Sequence, residues 1–246
     1  MKIKQEDAQK FKRILAIGDI HGEYEMLVKL WDKIKFKPEE DLLIFLGDYT
    51  DRGPESVKCT RFIRKVAQMQ NVIPLMGNHE RMLMDYIINH PHIDMLNSVD
   101  INDCWMLNGG LETLRDFEKN GVKELYEWFH FANTLPVFVD VDDMFFCHAG
   151  IDPDRSINDQ DTNDMLWIRE DFYNNYHGDK LIVVGHTPVQ YLIDTDEQYT
   201  PVYIDDNNIL MCDTGAFLGG TVGRLSCINV LDMKEIYSVG DESKKH

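Results

Sequence analysis

The chain has 246 residues, and 25 Lys and Arg against 43 Asp and Glu leave a formal net charge of −18. That length suits one large domain with a sizeable core, and 43% hydrophobic with 28% charged residues reads as globular and excludes a disordered chain. The acidic balance argues against a general nucleic-acid binder and against an anionic membrane surface, because both are gripped by clustered Lys and Arg.

In chain order, residues 1–13 are charged and lack the apolar stretch of a signal peptide. An apolar run, 14–17, then leads at once into Gly18-Asp19-Ile20-His21-Gly22. Residues 23–36 carry Met26, Leu27, Leu30, Trp31 and Ile34 at helical spacing. A second run, 42–46, leads into Gly47-Asp48-Tyr49-Thr50-Asp51-Arg52-Gly53, and a helix over 54–69 is expected to open on Pro54, a residue suited to a first helical turn. The third run, 72–76, leads into Gly77-Asn78-His79-Glu80 and a helix over 80–88. A more helical insertion covers roughly 91–135, with a turn at Gly109-Gly110, helices over 111–118 and 122–131, and Gly121 between them. Three further runs follow: 144–147 before His148-Ala149-Gly150, 181–184 before Gly185-His186-Thr187, and 209–212 before Asp213-Thr214-Gly215. Residues 155–176 form a second, acidic and partly helical insertion, and only the first ten or so residues and 241–246 read as loose ends.

Apolar runs this short, rich in Ile, Val, Leu and Phe, fit strands buried on both faces. Alternation with helices predicts a single α/β domain over 1–246, a β-sandwich flanked by helices, with the polar motifs at the carboxyl ends of strands, the edge where ligand sites collect. The five cysteines (Cys59, Cys104, Cys147, Cys212 and Cys227) are odd in number, scattered and without a CxxC, so they read as buried free thiols of a reducing compartment. With no apolar run approaching a membrane span, the expected location is the cytoplasm.

The polar residues at these strand ends include Asp19, His21, Asp48, Asn78, His79, His148 and His186. Carboxylate, imidazole and amide oxygen suit manganese, iron, zinc or cobalt, and the absence of thiolates argues against a structural zinc site. Two metals about 3.5–4 Å apart need a shared ligand, for which a central aspartate such as Asp48 could serve. Each motif alone has an ordinary explanation: a Gly-Asp turn, an N-cap at Asn78, a surface histidine. Those explanations fail together, because they would have to place Asp, Asn or His directly after six separate buried strands.

On these motifs the sequence resembles the phosphoprotein phosphatase family of dinuclear metallophosphoesterases, in the family's order and over roughly residues 13 to 230. The compact length and Leu166-Trp167-Ile168-Arg169 look like the bacterial and bacteriophage branch. The resemblance implies that Asp19 and His21 bind one metal, that Asp48 bridges, and that Asn78, His148 and His186 bind the other. It makes His79 the general acid, Asp51 the carboxylate that orients it, and Arg52 a phosphate clamp, with Arg169 the candidate for a second clamp. It implies two divalent cations, manganese favoured and iron, zinc, cobalt or nickel accepted, and attack by metal-activated water without a covalent phosphoenzyme. The substrate class it implies is a phosphorylated protein or small phosphoester, hydrolysed by a serine/threonine protein phosphatase. The alternative within the family is a diadenosine tetraphosphate hydrolase, whose usual third motif ends in Asp where this chain has Glu80 and whose second often lacks the aspartate found here as Asp51. A non-catalytic metal-binding module is the third reading, disfavoured because His79, Asp51 and Arg52 are all kept. Oligomeric state is left open.

The rings of Trp105, Trp128 and Trp167 read as core or groove walls, Cys147 as packing, and the 152–164 carboxylates as a solvated loop. His90 and His92 carry no assigned role.

Overall fold

The computed structural model describes residues 1–90, 101–192 and 199–240. The elements in order are β1 (Lys2–Ile3), α1 (Gln5–Ala8), β2 (Arg13–Ile17), α2 (Tyr24–Ile34), β3 (Asp41–Phe45), α3 (Ser56–Val66), β4 (Val72–Pro74) and α4 (Asn78–Asn89). There follow α5 (Leu111–Asn120), α6 (Val122–Ala132), β5 (Phe138–Val141), β6 (Met144–Cys147), α7 (Thr162–Trp167), α8 (Glu170–Asn175), β7 (Leu181–Val184), β8 (Val202–Ile204), β9 (Ile209–Met211), β10 (Arg224–Asn229) and β11 (Ile236–Gly240). They build two sheets, ordered β11-β10-β2-β3-β4 and β1-β5-β6-β7-β9-β8.

The six apolar runs are β2, β3, β4, β6, β7 and β9, the parallel cores of the two sheets. Their alternation shows why the runs are apolar throughout. Ile14, Ala16, Leu42 and Ile44 pack against Val139, Phe146, Val183 and Leu210 in one core between the sheets. The intervening Leu15, Ile17, Leu43 and Phe45 pack outward with Leu27, Leu30, Ile63 and Leu83 of the helices. On the far side Phe145, Ile182 and Val184 meet Phe172 and Tyr176. Successive strand side chains point to opposite faces, so a strand with helices on one face and a second sheet on the other has no position left for a polar residue. The expected helix-flanked β-sandwich is therefore the observed fold.

Several details differ from the sequence reading. Strands β1, β5, β8, β10 and β11 escaped it; β8, β10 and β11 are antiparallel additions at or near sheet edges, β8 only three residues long and β10 and β11 interrupted by polar residues. Pro54 precedes α3, which opens only at Ser56. Asn78 is the first residue of α4, with Gly77 as its N-cap. Within the insertion, residues 91–100, and with them Pro91 and His92, lie outside the described residues, as do 241–246. From Met106 to Gly110 the chain makes a widened helical turn broken at Gly109, where φ is 99°. Four cysteines are buried and unpaired as expected, but Cys104 is exposed. Among the described residues no helix is long and apolar enough to cross a membrane.

Candidate active site

The six strand ends converge at one edge of the sandwich. Two glycines are required by close approach. A Cβ on Gly77 would lie 2.1 Å from Asp48 Oδ1, and one on Gly18 would lie 2.2 Å from the Cys212 carbonyl oxygen, where the two sheets meet. Among the described residues ten non-glycine positions have positive φ, and five are His21 (46°), Asp48 (53°), Asp51 (73°), Arg52 (67°) and His186 (65°). Such conformations cost about 1–3 kcal/mol each and persist only where surrounding contacts hold them. Here they are held. The Asp48 and Tyr49 N–H groups donate to the Glu80 carboxylate at 2.9 Å each. The Asp51 N–H donates to Thr113 Oγ1 at 2.8 Å, and the His186 N–H to both Asp19 oxygens at 3.1 Å.

The candidate metal ligands are buried and share Asp48. His21, Asp48 and His79 offer ligand atoms within 4.8 Å of one another, and so do Asp48, His148 and His186. His21 Nδ1 donates to the Thr50 carbonyl at 2.9 Å and His148 Nδ1 to the Leu46 carbonyl at 2.8 Å, which leaves the Nε2 lone pair of each ring facing the cluster. His148 Nε2 lies 2.8 Å from Asn78 Oδ1 and 3.4 Å from Asp48 Oδ1, and His186 Nδ1 lies 3.0 Å from the same Asn78 oxygen. These atoms crowd one point, where either a shared proton or a cation can join them. Carboxylate, imidazole and amide oxygen without thiolate suit a borderline divalent cation, so the residues fit such an ion. Asp19 stands beside this set, its Oδ2 3.9 Å from His21 Nε2.

Burial dominates the electrostatics of the pocket. Burial, reinforced by neighbouring Asp213, pushes the Asp19 carboxyl well above the usual range. Burial pushes Asp213 up to about 6, and Glu80 to about 7 against the pull of its backbone N–H donors. Burial would also raise Asp48, but the charges of His148, His79 and His21 outweigh it and hold that carboxyl well below its usual range. Burial would lower His148, yet Asp48 raises it to about 9. His21 and His186 are held well below the usual imidazole value, each mainly by burial. Burial thus disfavours ionisation of Asp19, Asp213 and Glu80, while the imidazoles keep Asp48 the most readily ionised carboxyl of the pocket.

Beside this cluster His79 Nδ1 donates to Asp51 Oδ2 at 2.7 Å, and both residues are buried. The Arg52 guanidinium donates to His79 Nε2 at 3.1 Å and to His21 Nε2 at 2.9 Å, so one fork spans the space between the two rings. The Phe217 ring lies under that guanidinium at 4.3 Å. Arg169 Nη1 donates to Thr187 Oγ1 at 2.8 Å on the other side of the cluster, next to His186. All ten residues singled out in the sequence therefore lie in or beside one site.

Three residues of the site were not singled out. Asp213 follows the sixth strand, just as the others follow theirs; it is fully buried, and its Oδ2 has no hydrogen-bond partner among the described residues. The motif was visible, but Asp-Thr-Gly also describes an ordinary turn. Glu80 served only to separate two substrate classes, whereas its carboxylate takes N–H groups from Gly77, Asp48 and Tyr49. Trp105 is indeed core, but its indole Nε1 donates to Asp51 Oδ2 at 2.8 Å.

Residues 12–214 match the model of the calcineurin-like phosphoesterase family. The chain is 26% identical over 230 residues to serine/threonine-protein phosphatase 1 of Salmonella typhimurium, covering 89% of this chain and 94% of that protein. It is 29% identical over 232 residues to the asymmetrical bis(5'-nucleosyl)-tetraphosphatase PrpE of Halalkalibacterium halodurans, covering 85% of this chain and 87% of the relative. A crystal structure described as that of a candidate diadenosine tetraphosphatase superposes with a TM-score of 0.66 at 18% identity over 93% of both chains, a likeness of fold.

Proposed function

The chain belongs to the calcineurin-like phosphoesterase family and is a phosphoester hydrolase, and within that class we propose a serine/threonine protein phosphatase that uses two divalent cations, manganese first among them. Asp19, His21 and Asp48 would hold one ion, and Asp48, Asn78, His148 and His186 the other. Such ions, when bound, acidify water and balance charge on the phosphoryl group. The chain's own groups do the rest. Arg52 and Arg169 bind and orient phosphoryl oxygens through guanidinium forks. His79, as the imidazolium, delivers its Nε2 proton to the departing oxygen once Arg52 turns from that nitrogen to the phosphoryl group, and Asp51, accepting from Nδ1, orients the ring and stabilises its charged form.

The observation that carries the monoester reading is the buried Asp51–His79 hydrogen bond at 2.7 Å, with Nε2 opening beside Arg52. A serine alkoxide is a poor leaving group and needs that proton. A nucleotide leaving with its own phosphates is stable without one. The Halalkalibacterium halodurans relative supports a second reading, hydrolysis of bis(5'-nucleosyl) tetraphosphates. The unpaired cysteines support a reducing compartment, the cytoplasm in our reading. The test is a side-by-side assay of the manganese-loaded protein on a phosphoserine peptide, p-nitrophenyl phosphate and diadenosine tetraphosphate. Peptide turnover at or above dinucleotide turnover is expected; peptide turnover far below it would replace the first reading with the second.

A further inference from the structure

We infer that Trp105 is a positioning residue of the reaction: its indole N–H fixes the Asp51 carboxylate that orients His79. The inference rests on the reading of His79 as general acid. Asp51 Oδ2 accepts two hydrogen bonds, one from His79 Nδ1 at 2.7 Å and one from Trp105 Nε1 at 2.8 Å, whereas its Oδ1 has no partner among the described residues. Both bonds therefore fall on one oxygen of a fully buried carboxylate. With His79 as sole partner, that carboxylate could turn about its own axis and present either oxygen, or tilt with the ring. A second donor on the same oxygen removes that freedom and points the His79 ring, and so its Nε2, in one direction. A buried carboxylate also needs every donor it can find, because burying an ionised group with few partners is costly.

The indole is itself locked. The Trp105 side chain is 1% exposed. Its ring packs on Tyr86 with centroids 5.0 Å apart, and a Cβ on Gly110 would come within 2.6 Å of the indole. The segment that delivers it also touches the next residue of the site: the Arg52 N–H donates to the Gly109 carbonyl at 3.4 Å, and a Cβ on Gly109 would lie 2.6 Å from the Arg52 nitrogen. The inserted segment thus contacts the Asp51-Arg52 pair through Trp105 and Gly109.

The test exploits leaving-group dependence, which a merely structural residue would not change. Wild type, Trp105→Phe, Trp105→3-benzothienylalanine (same shape, sulfur in place of N–H) and His79→Asn would be assayed on a phosphoserine peptide and on p-nitrophenyl phosphate, whose phenolate departs without a proton. The metal content of each protein would be measured alongside. Both Trp105 variants should lose about tenfold in kcat on the peptide, the loss expected for one hydrogen bond at a charged group. KM, metal content and p-nitrophenyl phosphate turnover should stay near wild type. Equal losses on both substrates in the isosteric variant, or no loss on either, would overturn the inference. If His79→Asn discriminates between the substrates and the Trp105 variants do not, only the role of Trp105 falls; if His79→Asn does not discriminate, the general-acid reading falls and takes this inference with it. A spectroscopic measurement on the unaltered protein stands beside the kinetics. The buried Trp128 Nε1 has no hydrogen-bond partner among the described residues, so the Trp105 indole N–H proton should resonate well downfield of the Trp128 signal, and coincident signals would also overturn the inference.

Discussion

Replacing Glu80 by Gln keeps size and shape and changes only what the side chain can accept. Oε2 of Glu80 takes the N–H groups of Gly77 at 3.1 Å and Asp48 at 2.9 Å, and Oε1 takes that of Tyr49 at 2.9 Å. A glutamine oxygen can keep the two bonds of Oε2, but the amide NH2 then faces the Tyr49 N–H, donor against donor, in a fully buried position. One hydrogen bond to a charged group is lost and one backbone N–H is left unpaired, for a cost of about 2–3 kcal/mol. At about 2–4 °C per kcal/mol for a domain of this size, Tm should fall by roughly 4–12 °C. The assay is calorimetric or circular-dichroism unfolding in the presence of chelator, so that ligand binding does not mask the change. The same substitution should weaken metal binding, because the Asp48 backbone sits at φ 53° and Glu80 helps to hold it there. A Tm within about 2 °C of wild type would refute the claim that Glu80 acts as the acceptor anchoring this turn.

Three further outcomes are expected. Arg13 grips the buried Asp41 through Nε at 3.0 Å and Nη2 at 2.6 Å, far from the site, so Arg13→Ala should cost about 3–5 kcal/mol by denaturant titration, while the kcat of correctly folded protein stays at the wild-type value; an unchanged unfolding midpoint would contradict this. Arg169→Ala should raise KM for a phosphoserine peptide about tenfold through loss of one guanidinium–phosphate contact, and an unchanged KM would remove Arg169 as a clamp. Burial raises Asp213 to about 6 in the folded protein. A carboxyl raised on folding holds its proton longer in the folded than in the unfolded chain, so without metal its contribution falls as pH rises from the unfolded value through about 6. Asp213→Asn should therefore be stabilised relative to wild type above that pH in chelator, and equal Tm differences at pH 4 and pH 8 would contradict the assignment.

Much of this molecule was legible in its sequence, for a physical reason. Strands with a helix layer on one face and a second sheet on the other must be apolar at every position, as Ile14-Leu15-Ala16-Ile17 and Leu42-Leu43-Ile44-Phe45 are, and such runs stand out. The polar group that follows each run then marks the carboxyl edge. Strand β10 was invisible because Ser226 and Asn229 break its pattern; inside the fold their side chains reach Thr214, Ser238 and the Ile14 backbone. Residues whose partners are distant in sequence were equally hidden. No local pattern around Trp105 announces a bond to Asp51, 54 positions earlier. Asp213 shows the opposite failure: its place after a strand was plain, but an Asp-Thr-Gly turn alone gave no sign that the carboxylate is fully buried beside Asp19.

The shared position of Asp48 in both ligand clusters is the point on which the account turns. It is tested most directly by counting metal. Wild type and Asp48→Ala would be loaded with manganese, freed of excess and analysed for bound ions and for fold by circular dichroism. The account predicts two ions per chain in wild type and fewer than one in the folded variant, because the loss of one carboxylate disables both sites. A folded Asp48→Ala protein that still held two ions per chain would contradict it.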